Sequence, residues 1–163
     1  MAKLLEPGNV VKSSKHLYKI DTHVGSGGQA HGYRAFCSSL AEGPVFLKQY
    51  HERPFVPRSD TDGAIKRLQS ELVNRLEAFS FVQRIHEFFE FDSCYYQSGA
   101  WQEGVSLGER IRDAGRYAAR ERKLHAVTLC YAVAVLHDKQ KIAHMDISRM
   151  NVRVIAGADG KDR

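Results

Sequence analysis

The feature that most restricts the fold of this chain is a dense glycine segment between two strand-like runs. Four glycines fall within eight residues: Gly25, Gly27, Gly28 and Gly32. The flanking runs, residues 17–24 and 32–36, predict an antiparallel hairpin with a glycine turn. Glycine suits a turn that uses positive φ, and it lets backbone N–H groups approach an anion closely. An ordinary glycine-rich hairpin would explain the same residues.

A second motif lies near the other end of the chain, where residues 144–151 read H-x-D-x-x-x-x-N. This is the spacing of a phosphotransferase catalytic loop. Asp146 would meet the acceptor hydroxyl, and Asn151 would turn back to hold a metal ion beside the phosphates. A short loop lets both side chains face one cleft. Three fixed residues also recur by chance, so the interpretation depends on the upstream sequence.

Upstream, Lys48 interrupts the apolar strand pattern of residues 44–50. A lysine in such a strand is costly unless it has a charged partner. Glu71 is a candidate partner, because apolar residues recur around it at helical spacing over residues 64–76. Lys48 could instead lie on the solvent face of an edge strand. Glu71 could be a solvated helix charge, and Glu77 is a rival partner for the lysine.

Taken together, these motifs resemble the eukaryotic-type protein kinase superfamily. The shared order is a glycine loop, a strand lysine, a helix glutamate, apolar strands, a hinge, a long helix and H-x-D-x-x-x-x-N. The resemblance extends over roughly residues 17–160. It implies an α+β fold with a small antiparallel β lobe containing one helix, followed by the beginning of a helical large lobe.

The resemblance also implies roles for individual residues. Catalytic roles fall to Asp146, Lys48, Glu71 and Asn151. Nucleotide-binding roles fall to Gly25, Ser26, Gly27, Gly28, Lys48, Ala100 and Gln102. Asn151 would be the metal ligand, His144 would brace the loop, and the implied cofactors are ATP and Mg²⁺.

Several positions depart from the family pattern. Ala30 replaces the third loop glycine, and Gly32 replaces a valine that forms an apolar lid over the adenine. Met145 replaces the arginine that commonly precedes the catalytic Asp, and Ser148 replaces a lysine. No D-F-G triplet follows Asn151. We therefore expect weakened nucleotide affinity and no useful phosphotransfer by these residues alone.

The domain organisation follows the same division. We expect a loose leader over residues 1–16, an N-lobe over 17–98, a hinge over 99–106 and a partial C-lobe over 107–163. The run from Leu124 to Lys139 is apolar nearly all round and predicts a buried central helix. Residues 152–155 alternate like a strand before the Asp159-Gly160 turn. The returning strand is missing, so we expect an unpaired edge.

Composition sets broader limits. The chain is 43% hydrophobic and 26% charged, which predicts a globular protein. The net charge is +5, and basic residues concentrate over residues 110–123. That stretch matches no nucleic-acid motif, so a solvated surface is favoured over a nucleic-acid partner. Three widely spaced cysteines suggest neither zinc nor disulfides and favour a reducing, cytoplasmic compartment. No apolar stretch could span a bilayer.

The predicted function is that of an ATP-binding, protein-kinase-like protein, whose complete domain would transfer the γ-phosphate to a Ser/Thr hydroxyl of a protein substrate. Two alternatives remain open. One is a small-molecule phosphotransferase of the aminoglycoside- or choline-kinase kind. The other is a truncated pseudokinase that acts as a binding or regulatory module.

Overall fold

The computed structural model describes residues 2–39, 43–51, 82–113, 118–141 and 147–155. The chain forms two compact units, Met1–Trp101 and Gln102–Arg163. The boundary between them falls inside residues 99–106, the segment predicted to be a hinge. That this segment works as a hinge stays a prediction.

The described part of the first unit contains one antiparallel sheet of six strands. These are β1 (Val10–Lys12), β2 (Leu17–Ser26), β3 (Ala30–Cys37), β4 (Pro44–Tyr50), β5 (Ile85–Phe91) and β6 (Cys94–Ala100). Their order across the sheet is β1-β2-β3-β4-β6-β5. The predicted small antiparallel lobe is confirmed. The helix predicted around Glu71 lies outside the described residues.

One face of this sheet forms the hydrophobic core, because side chains alternate between the two faces of each strand. We call this the core face. Its buried members are Val11, Tyr18, Ile20, Tyr33, Ala35, Cys37, Val45, Leu47 and Tyr96. We call the other face, which carries Phe46, Lys48 and Tyr50 on β4, the open face.

The core face also buries polar groups, and they bond to one another. The Tyr33 hydroxyl donates to Gln49 Oε1 at 2.9 Å, and Gln49 Nε2 donates to the Tyr96 hydroxyl at 3.1 Å. Tyr18 donates to Glu87 Oε1 at 2.7 Å. Burial raises the pKa of Tyr18 and Tyr96 well above the usual range, so both phenols stay protonated. A satisfied network of this kind specifies which strands are neighbours.

The prediction of a loose leader over residues 1–16 was wrong for part of that segment. β1 pairs with β2, with Val11 opposite Tyr18, and the side chain of Val11 is 1% exposed. The backbone N–H of Gly8 donates to the carbonyl of Ile20 at 2.8 Å. The apolar side chain of Val11 completes the core face. The sequence around Val11 is rich in polar and turn residues, and for this reason the strand was not predicted.

The second unit is mainly helical in its described part. It contains β7 (Val105–Ser106), α1 (Leu107–Arg112), α2 (Ala119–Gln140) and β8 (Arg153–Val154). β8 pairs with β7, with Val105 opposite Val154. The expectation that residues 152–155 would have an unpaired edge was therefore wrong on that side. The partner strand comes from a segment nearly fifty residues earlier, which has no strong strand pattern of its own.

The long helix α2 exists as predicted, but it is not buried on all sides. Leu136 and His125 are buried, whereas the side chains of Leu124, Val127 and Tyr131 are 52%, 67% and 65% exposed. Val127 and Tyr131 lie one turn apart, so they share a face with Leu124. No helix in the described part of the chain is long and apolar enough to cross a membrane.

Candidate functional site

The glycine turn lies between Ser26, which ends β2, and Ala30, which begins β3. Gly27 N–H donates to the Ala30 carbonyl at 2.9 Å, which closes the turn. A Cβ added to Gly25 or Gly28 would meet nothing within 4 Å. The glycines with positive φ in the described chain are Gly8, Gly43 and Gly104, so the expectation that the turn glycines use positive φ was wrong. Open space beside the backbone is what these glycines provide, and a ligand could approach there.

Lys48 lies on the open face of β4, half-buried. β4 pairs with β3 on one side and β6 on the other, so the alternative of an edge-strand lysine is excluded. Gly32 is the residue directly opposite Lys48 on β3, and Gly25 is opposite Gly32 on β2. Neither glycine puts a side chain on this face, and the ring of Phe46 lies over Gly32.

Tyr50 and Gln97 surround Lys48, and neither was predicted from the sequence. Lys48 Nζ lies 4.9 Å from the centroid of the Tyr50 ring, within range of a cation–π interaction. The Tyr50 hydroxyl donates to Gln97 Oε1 at 2.8 Å. Burial raises the pKa of Tyr50 to about 12, so it is a neutral donor at physiological pH. These contacts hold the aromatic surface on which the lysine rests.

Ala100 and Gln102 were predicted to contact a nucleotide. Ala100 ends β6, and both of its backbone groups are already bonded. Its N–H donates to the Arg84 carbonyl at 2.8 Å, and its carbonyl accepts from Gln83 Nε2 at 2.9 Å. Gln102 begins the second unit and is half-buried.

Asn151, the predicted metal ligand, is exposed in a turn of the second unit. Its N–H donates to the Ser148 carbonyl at 3.0 Å. The turn is held against the start of α1, where Gly108 N–H donates to the Arg149 carbonyl at 2.8 Å. A Cβ on Gly108 would lie 2.7 Å from Met150 Sδ, so a larger residue there would displace the exposed Met150 side chain. The backbone around Asn151 is thus well defined.

The start of α1 is itself fixed by a capping box. Ser106 Oγ accepts from the Glu109 N–H at 3.1 Å, and Glu109 Oε2 accepts from the Ser106 N–H at 2.7 Å. These hydrogen bonds lower the pKa of Glu109. The remaining predicted catalytic and bracing residues, Glu71, Asp146 and His144, lie outside the described residues.

A histidine cluster formed by His23, His31 and His51 adjoins the glycine turn. His51 Nε2 donates to the Gly27 carbonyl at 3.1 Å, and the His31 and His51 rings are 4.4 Å apart. Ser26 Oγ lies 2.7 Å from His31 Nδ1 and 2.9 Å from His23 Nε2. No group of three histidine, cysteine or acidic residues within the described ranges could hold a metal ion. The hairpin register, centred on the glycine turn, could have revealed the pairing of His31 with Ser26.

Comparison with solved structures finds kinase domains. The crystal structure of the Mycobacterium tuberculosis PknI kinase domain matches with a TM-score of 0.71 at 15% identity. Two structures of PknI mutants match with TM-scores of 0.70 and 0.71 at 15% and 19% identity. All three matches cover 98% of this chain. The chain has a protein-kinase-like fold.

The antiparallel sheet of the first unit corresponds to the N-terminal lobe of that kinase fold. The chain spans about 60% of the length of the kinase domains it matches. No protein-family model and no curated protein matches the sequence. The likeness therefore establishes the fold alone.

Proposed function

We propose that this chain is the nucleotide-binding part of a protein kinase domain, and that its glycine turn and Lys48 hold the phosphates of ATP. The observation that carries the proposal is the row of directly opposed residues Gly25, Gly32 and Lys48. In a kinase-like fold this row offers backbone approach at one end and a cation at the other. Polyphosphate recognition needs that combination.

The residues would divide the work as follows. The exposed backbone at Gly25 to Gly28 receives the terminal phosphates, and Lys48 neutralises their charge. Tyr50 limits the directions that the Lys48 ammonium can take. In the complete domain, Asp146 orients the acceptor hydroxyl of a Ser/Thr side chain in a protein substrate, and positioning of this kind supplies much of the rate.

Asn151 is the one metal ligand that the proposal assigns within the described residues. Its amide oxygen suits Mg²⁺, which prefers oxygen ligands and keeps several waters alongside substrate phosphates. Magnesium bound there would supply neutralisation of negative charge. The exposed turn that carries Asn151 leaves room for a hydrated ion, which supports this choice.

We further propose that the protein works in the cytoplasm, and that nucleic acid is not its partner. The three cysteines are free, and Cys130 is exposed, which supports a reducing compartment. Arg112, Arg120, Arg122 and Lys123 are all exposed, as expected of a solvated surface.

Calorimetric titration with ATP tests the proposal. We expect Lys48→Ala to weaken ATP binding about tenfold, the value of one lost charge-assisted hydrogen bond. Lys12→Ala, which removes an exposed lysine from β1, is the matched control and is expected to bind ATP as the wild type does. Equal binding by the Lys48→Ala variant and the wild type would show that Lys48 is an ordinary surface lysine.

A radiolabelled ATP assay with generic protein substrates addresses transfer. The 163 residues include no D-F-G triplet, so we expect no robust incorporation from them alone. Incorporation that disappears in Asp146→Asn would contradict this expectation. ATP binding without transfer under every condition would favour the alternative of a binding or regulatory module.

A further inference from the structure

Phe46 fills the depression that the two opposed glycines leave on the open face. A Cβ built on Gly32 would lie 3.1 Å from both Cε2 and Cζ of the Phe46 ring. The same Cβ would lie 3.6 Å from the Gly25 carbonyl oxygen. The ring therefore leans from β4 across Gly32 toward β2, and glycine at position 32 is what allows this arrangement.

The register of the sheet puts this ring on the path that a nucleotide would follow. Lys48 pairs with Gln97, Phe46 pairs with Gly99, and Val45 pairs with Ala100. A ligand anchored by its phosphates at Lys48 must cross Phe46 to bring a base to the end of β6. Lys48 and Phe46 are two residues apart on β4, a distance of about 7 Å along the strand. We therefore expect the base of a ligand whose phosphates bind Lys48 to meet the Phe46 ring.

The end of β6 is occupied as well. The Ala100 carbonyl already accepts from Gln83 Nε2, and the Ala100 N–H donates to Arg84. A Cβ on Gly99 would lie 2.8 Å from the Arg84 carbonyl oxygen, so residues 83 and 84 fill the space beside this strand. Both backbone groups of Ala100, which would otherwise face the edge of a base, are engaged within the protein.

We propose that the base end of the site is closed by the protein's own Phe46 and Gln83, while the backbone of the glycine turn at the phosphate end stays accessible. This inference rests on the proposed function. Phe46 is the residue that determines specificity: with its ring in place, the site takes the phosphates of a ligand and excludes a purine base. Purine nucleotides bind after the ring turns away, so their apparent affinity falls by the fraction of molecules in which it has done so.

The test compares ATP with inorganic tripolyphosphate, which offers phosphates and no base. The affinities of the wild type, Phe46→Ala and Phe36→Ala for each ligand are measured by calorimetric titration. Phe36 is the matched control. It lies on the open face like Phe46, but it pairs with Pro44 at the end of β3 that is away from the glycine turn. Thermal denaturation checks that each variant is folded, and Phe46→Leu replaces Phe46→Ala should that variant be unfolded.

We expect Phe46→Ala to bind ATP about tenfold more tightly than the wild type, as for a site open in about a tenth of the molecules. Tripolyphosphate affinity should remain within about twofold, because we assign its contacts to Lys48 and the open backbone of the turn and not to Gly32, which the ring covers. Phe36→Ala should leave both affinities unchanged. Gln83→Ala should give a smaller gain for ATP and none for tripolyphosphate.

Two results would overturn the inference, and they are distinguishable. ATP affinity that is unchanged or lower in Phe46→Ala, with binding still dependent on Lys48, would mean that Phe46 does not exclude the base. The proposed function would survive that result. Absence of binding for both ligands in every folded variant would remove the proposed function and this inference together.

Discussion

The two faces of the sheet differ in what their side chains do. The core face is dense, and its buried polar groups are bonded to each other through Tyr33, Gln49 and Tyr96. The open face carries two opposed glycines and, on β4, Lys48 with the rings of Phe46 and Tyr50. The contrast shows that packing on the core face stabilises the strands. Residues such as Gly32 and Lys48 on the open face can therefore contribute little to the free energy of folding.

Neighbouring residues of β4 give the largest test of this contrast. Leu47 is fully buried on the core face, so we expect Leu47→Ala to lower the free energy of unfolding by about 2–5 kcal/mol. Lys48→Ala on the open face should lower it by less than about 1 kcal/mol. Chemical denaturation of both variants measures the difference. Similar losses for the two substitutions would contradict the division of labour between the faces.

A smaller effect concerns the contact between Gly32 and Phe46. Glycine inside a strand costs roughly 0.5–1 kcal/mol relative to alanine, so Gly32→Ala should stabilise the protein by that amount when Phe46 is also alanine. With Phe46 present, the ring must shift by a few tenths of an ångström, and we expect the gain to be lost. A double-mutant cycle measures this coupling. Additive effects would indicate that the ring does not depend on Gly32.

The smallest expected effect is a pH dependence at the glycine turn, on the core-face side. Burial lowers the pKa of His31, and the nearby His51 and His23 lower it further, against an opposing hydrogen bond to the Ala2 carbonyl. The neutral ring is therefore favoured in the folded state. Its contribution to stability is complete above the unfolded pKa of about 6.5 and is lost as pH falls through the lowered value.

Thermal denaturation between pH 7.5 and 5 checks this expectation. His31→Asn should show a shallower fall in Tm on acidification than the wild type. His16→Asn, which removes a histidine that contacts Ser39 instead of the turn, is the control and should keep the wild-type slope. The same dependence of Tm on pH in all three proteins would show that the protonation of His31 does not affect stability.

Much of the strand content could be predicted from local pattern. Strand-like runs were recognised at residues 17–24 and 44–50, and the glycines marked the turn between β2 and β3. The kinase-like order of motifs predicted the fold that the comparisons show. The spacing of residues within a strand or helix repeats every few positions, and this makes such features readable without a structure.

Contacts between distant segments could not be predicted in this way. The pairing of β8 with β7 joins residues nearly fifty positions apart, and the order β4-β6-β5 places β6 between two strands that precede it in the chain. The role of Val11 in the core was likewise missed. Such pairings depend on which side chains fit together across strands, and local periodicity carries no information about that fit.

At the candidate site, the sequence by itself determined the glycine turn, the position of Lys48 within a strand and the order of the predicted catalytic residues. The tertiary structure decided that Lys48 lies on an interior strand opposite Gly32. It also decided that Phe46 occupies the space this glycine leaves, and that Gln83 bonds to Ala100. The physical reason is that a motif fixes which chemical groups are available, whereas packing between strands fixes which of them meet and which space remains for a ligand.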